Sequence, residues 1–155
     1  MTELERIDEQ LRLSFEGGAW HGPSVLEALA GIDAEAALAH PIAGAHSVWE
    51  LVLHLAGTYG LVLRRLGRDE RPLSQEEDWP AIVFTSEERW HESVATLRKL
   101  NDELRRAVRG FAAQRLDEPL VSEPSYTAYT QFIGVTQHNL YHAGQIVLLR
   151  RALKR

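Results

Sequence analysis

The chain contains no cysteine. That excludes a disulfide framework, a thiolate metal site and a protein thiol nucleophile. Any thiol chemistry here would draw on a thiol from outside. No run approaches the roughly 18 apolar residues that span a bilayer. The N-terminus, Met1-Thr2-Glu3-Leu4-Glu5-Arg6, lacks the basic start and apolar stretch of a secretory signal, so the expected compartment is the cytoplasm. Lysine is scarce, with 2 against 15 arginines, and no function is drawn from that bias. A formal net charge of −5 argues against a nucleic-acid binder that relies on a broad basic surface. There is no strand-like alternation, internal repeat or low-complexity tract. Nor is there a G-x-G-x-x-G, a P-loop or a G-x-S-x-G, so nucleotide and serine-hydrolase readings fall away.

What is present is helical periodicity. At 155 residues, 45% hydrophobic and 25% charged, the chain reads as one domain, 1–155, with a sizeable core. Leu4, Ile7, Leu11 and Phe15 form a stripe over 2–16, ended by Gly17-Gly18. A short helix follows Gly22-Pro23, with proline suiting its first position and Ser24/Glu27 a capping box. Ser47 and Glu50 open a long helix that ends near Gly67. In it Gly57 and Gly60 lower helix propensity or permit close packing. Residues 67–85 read as a long loop, with Trp79-Pro80 an apolar anchor for one end of the bundle. A third long helix starts near Thr85, paired with Glu88, and carries Trp90, Val94, Leu97, Leu104 and Val108. The last runs from Pro124-Ser125 to about Leu153. Four long helices imply an all-α four-helix bundle.

Three histidines fall where helical patterns predict buried apolar residues. The seam of the last helix reads Val135, His138, His142, Gln145, Leu149, and His54 lies beside Leu51, Thr58 and Leu61 on the second long helix. Polar groups in such a seam are costly unless satisfied. Two imidazoles at i, i+4 share one helical face, and a third from a neighbouring helix could complete a metal site. Three neutral ligands would leave a coordination position open and the ion's charge undiminished. The competing reading is three core histidines satisfied by other partners. Gln145 could bond the second nitrogen of a ligand histidine, or simply pack. Asn139, which also flanks the pair, reads equally as a site partner or a packing residue. Tyr126, Tyr129 and Tyr141 could offer phenols to a pocket but read first as core residues with a wet hydroxyl, and His40, His46 and His91 as surface or capping residues. Trp20-His21 could fold over a bundle mouth. The basic Arg64-Arg65-Leu66-Gly67-Arg68 segment reads as a solvated helix end. No acidic residue stands out in the ligand-bearing seams as a general base.

The segment Gly134-Val-Thr-Gln-His138-Asn-Leu-Tyr-His142-Ala-Gly-Gln-Ile-Val-Leu-Leu-Arg150 resembles the C-terminal helix signature of the DinB-like superfamily. His46-Ser-Val-Trp-Glu-Leu-Val-Leu-His54-Leu-Ala resembles its second-helix signature, and Trp20-His21-Gly22-Pro23-Ser24 and Trp79-Pro80 agree in place. The resemblance covers about residues 6 to 153. It implies an up-down-down-up bundle holding a divalent transition metal, zinc or nickel, on His54, His138 and His142. It also implies a thiol S-transferase that joins a low-molecular-weight thiol of the bacillithiol type to an electrophilic small molecule. A metal-dependent hydrolase and a non-enzymatic, stress-related binding bundle are the alternatives. A homodimer is expected, with a small molecule as partner and neither nucleic acid nor membrane.

Overall fold

The computed structural model describes residues 1–154. Seven α-helices follow in chain order: α1 (Glu3–Phe15), α2 (Val25–Leu29), α3 (Ala34–Leu38), α4 (Val48–Leu66), α5 (Gln75–Asp78), α6 (Glu87–Arg109) and α7 (Ala128–Ala152). A 3-10 turn spans Ala113–Arg115. The long helices α1, α4, α6 and α7 build the bundle, and no strand forms among the described residues.

Local chemistry sets most of the starts. Thr2/Glu5, Ser24/Glu27, Ser47/Glu50 and Ser74/Glu77 are reciprocal capping boxes, each satisfying two amides that the first turn would otherwise leave unpaired. Gly17 and Gly18 both take positive φ after α1, a turn that side chains resist.

Several boundaries differ from the sequence reading. Ser24 is the cap of α2, so Pro23 precedes the helix instead of opening it. At α6 the cap is Ser86, whose hydroxyl accepts from the Arg89 amide, one residue later than the Thr85/Glu88 pair. The helix α7 starts at Ala128, capped by Thr127, and not at Pro124-Ser125. The preceding segment folds back there: the Ala128 amide donates to Glu118 O and the Tyr129 amide to Leu116 O, which satisfies first-turn donors. The 67–85 stretch contains α5, and α3 lies in a segment with no expected helix.

Side-chain pairs fix the packing senses. Trp49 Nε1 donates to Ser93 Oγ (3.0 Å) and Tyr59 OH to Asn101 Oδ1 (3.1 Å), so α4 and α6 run the same way. Tyr59 also accepts from Asn139 Nδ2 (2.8 Å), and Arg65 donates to Gln131 Oε1 (2.9 Å), so α7 runs against α4. Asp8 of α1 meets Arg105 (2.7 Å) and Arg109 (3.1 Å), while Glu16 meets Arg105, which sets α1 against α6. These senses are compatible with the up-down-down-up order.

Leu11, Phe15, Leu55, Tyr59, Trp90, Leu97, Leu104, Phe132 and Ile146 are fully buried in one core cluster. Each such side chain contributes roughly 1.5–3 kcal/mol by leaving water. The deepest line along α7 is Phe132, Val135, Asn139, Ala143, Ile146 and Leu149. The expected seam through His138 and Gln145 is therefore rotated by about one residue: both are only half-buried, while Asn139 occupies the core. Asn139 is tolerated there because it donates to Ser14 Oγ (3.0 Å) as well as to Tyr59.

Candidate metal centre

The antiparallel packing of α4 on α7 puts His54 level with His138 and His142. His54 and His142 are buried, and His138 lies between them, half-buried. His138 Nε2 is 3.0 Å from His54 Nε2 and 3.0 Å from His142 Nε2. One ring nitrogen from each histidine lies within 4.8 Å of the others.

The outer nitrogens set the tautomers. His54 Nδ1 faces two oxygens of Asp78, the carbonyl at 3.0 Å and the carboxylate at 2.9 Å. His142 Nδ1 faces Gln145 Oε1 at 2.6 Å. Both positions call for an N–H donor, so both Nε2 lone pairs turn inward toward His138. A single proton on His138 Nε2 can bond only one of its two neighbours. A cation satisfies all three nitrogens together. Zinc–nitrogen bonds of 2.0–2.1 Å in a tetrahedral arrangement place ligand nitrogens about 3.3 Å apart, close to the two 3.0 Å separations from His138. The donor set and its spacing therefore fit a divalent transition ion.

Electrostatics keep the cluster ready to ligate. Burial, reinforced by the charges of His142 and His54, holds the His138 imidazole down at about 4. Burial also lowers His142, partly countered by its bond to Gln145. At neutral pH these two rings carry a free lone pair in place of a proton.

A second layer braces the histidines. Trp79 lies flat on His54, with centroids 4.0 Å apart and planes 2° from parallel, and it also stacks on His46 at 3.6 Å and 10°. Tyr141 stands edge-on to His142 at 5.0 Å. Asp78 and Trp79 reach His54 because α5 packs tightly on α4 at Gly57. A Cβ there would sit 2.7 Å from Glu77 O. Gly60 meets nothing within 4 Å, so only one of the two glycines serves close approach.

The three histidines named from the sequence come together, and Gln145 does bond the second nitrogen of one of them. Two expectations are extended and two are corrected. An acidic residue does reach the site: Asp78, supplied by the 67–85 stretch and not by a helix seam. Trp79 stacks on a site histidine, so it does more than anchor one end of the bundle. Trp20 is fully exposed and His21 exposed, so neither covers a bundle mouth. Tyr126, Tyr129 and Tyr141 are likewise exposed. The Ser74/Glu77 capping pattern, which opens four residues ahead of Asp78, was the available signal for α5.

No helix among the described residues is long and apolar enough to cross a membrane. The chain matches a solved structure, described as a conserved protein from Enterococcus faecalis. Identity is 18%, the TM-score is 0.73, and 98% of this chain and 97% of that one are covered, which establishes a shared fold. No curated protein matches the sequence. The family model described as the DinB superfamily matches residues 19–146. The chain belongs to the DinB superfamily.

Proposed function

We propose that this protein is a metal-dependent thiol S-transferase, joining a low-molecular-weight thiol to an electrophilic small molecule. The observation that carries the reading is the convergence of three imidazoles, His54, His138 and His142, with no fourth protein ligand in the cluster among the described residues. Three protein ligands with an open position are the arrangement of catalytic sites, whereas structural zinc sites are closed by four. A zinc or nickel ion held there would supply Lewis acidity, favouring the deprotonated form of a small thiol at neutral pH. The chain supplies no thiol of its own, in keeping with a thiol that arrives as cosubstrate.

The chain's own residues do the positioning. Asp78 and Gln145 hold the His54 and His142 rings with their Nε2 atoms inward. Trp79 covers one face of His54 and keeps water from it. The nearest carboxylate, Asp78, is engaged by His54 Nδ1 on the outer side of the ring, so it is not free to serve as base for a water nucleophile. That disfavours the hydrolase alternative. The test is transfer to a chromogenic aryl chloride by zinc- or nickel-loaded protein with a panel of low-molecular-weight thiols. Turnover should require both metal and thiol and be lost in His138→Ala. Metal-dependent consumption of an ester or amide without any thiol would replace this reading with hydrolysis.

A further inference from the structure

Beside the three histidines, between the 42–46 segment and the last turns of α7, lies an open-sided cavity of about 270 Å³. Ile42, Leu51, Leu148 and Leu149 supply its apolar wall, and His46 and Gln145 its polar groups. Both polar groups connect to the cluster. Gln145 bonds His142, and His46 stacks on Trp79, which in turn stacks on His54. Leu51 lies one turn before His54 on α4, and Gln145 one turn beyond His142 on α7. The cavity therefore stands about one helical turn, roughly 5 Å, from the three histidines along the α4–α7 groove.

The chemistry of the lining selects its ligand. No Lys, Arg, Asp or Glu contributes to the wall, and its His46 already faces Glu50 (3.7 Å), so in the metal-free protein a charged group would lose its hydration with no free counter-charge. Gln145 Oε1 is committed to His142, which leaves the Gln145 Nε2 hydrogens as donors. The volume is nearly twice the roughly 150 Å³ of a cavity that accepts benzene. Leu148 is 58% exposed at the rim, an apolar side chain that no partner in the fold covers.

We propose that this cavity is the acceptor subsite, taking a small, uncharged, largely apolar molecule whose one carbonyl oxygen accepts from Gln145 Nε2. As an acceptor site it rests on the transferase reading; as a binding site it stands on the cavity alone.

The test is a titration with 4-phenyl-2-butanone, a stable ketone of this description, followed by the methyl resonances of the protein with and without zinc. Shifts should localise to Ile42, Leu51, Leu148 and Leu149 in both forms. In the metal-free form, where no cation stands nearby, the charged analogue 3-phenylpropionate should bind at least about tenfold more weakly. Leu148→Glu, on an exposed helix face, and Ala45→Leu, which fills the cavity without adding charge, should each weaken the ketone. Absent shifts, shifts elsewhere, or equal binding of the carboxylate by the metal-free protein would overturn the subsite while leaving metal-dependent transfer intact. Ketone binding by a protein that takes up no metal would overturn the acceptor role together with the transferase reading, and leave only an apolar binding site.

Discussion

Replacing Gly57 by alanine separates the stability of α4 from the quality of the metal site. The new Cβ would lie 2.7 Å from Glu77 O, 3.7 Å from Glu77 C and 4.0 Å from Asp78 Cα. An ordinary contact of about 3.4 Å requires α5 to retreat by roughly 0.7 Å. The two Asp78 oxygens now stand 3.0 and 2.9 Å from His54 Nδ1. The same displacement carries them to about 3.6–3.7 Å, beyond hydrogen-bonding range. His54 then loses the partner that fixes its tautomer and orientation, and metal affinity should fall by about 10- to 100-fold. Alanine also favours the helix by about 0.8–1.0 kcal/mol, offsetting much of the strain, so the metal-free protein should melt within a few degrees of wild type. Gly60→Ala is the control. Nothing lies within 4 Å of its Cβ, so it should gain up to about 1 kcal/mol and leave metal affinity unchanged. Zinc competition against a chromophoric chelator reads the affinity, and thermal denaturation of the metal-free protein reads the stability. Wild-type zinc affinity in Gly57→Ala would refute the argument that α5 braces His54.

Two further predictions concern the fold and the protonation of the site. Burial pushes the Tyr59 phenol well above its usual value, so its O–H stays a donor to Asn101 while it accepts from Asn139. Tyr59→Phe removes both bonds, should cost about 2 kcal/mol at about 1 kcal/mol net each, and should lower Tm by roughly 4–8 °C; an unchanged melting curve would show that the network contributes nothing. His138 is held at about 4, below the ordinary histidine value of 6.5. Between these values the unfolded chain binds the proton more readily, so the metal-free protein should lose stability as pH falls from about 6.5 toward 4. Urea midpoints should drop across that window and drop less in His138→Leu, and parallel profiles for the two would contradict the assignment.

How much was legible depended on the range of the interaction. The capping boxes at Ser24 and Ser47 and the stripe of α1 are local patterns, and the structure reproduces them. The histidine trio was legible because i, i+4 spacing fixes a shared face, and His54 marks a facing helix. Asp78 was not, since its role depends on α5 folding back onto Gly57, a contact between residues far apart in space until the chain packs. The one-residue rotation of the α7 seam was hidden too. Nothing local to Asn139 marks it as the buried member of the seam, because its partners Ser14 and Tyr59 come from α1 and α4. The start of α7 was misplaced for a similar reason: the carbonyls of Leu116 and Glu118 act as its caps from outside the helix.

The most direct test of the account is the metal content of untagged protein, determined by elemental analysis for wild type beside His142→Ala. His142 contributes one of the three inward nitrogens, so its removal leaves two, too few to hold the ion tightly. The account predicts about one equivalent of a transition metal, zinc or nickel, in the wild type and its loss in the variant. A wild-type protein that carries no metal and takes up neither zinc nor nickel when they are added would contradict it, leaving His54, His138 and His142 as a hydrogen-bonded cluster within a helical bundle.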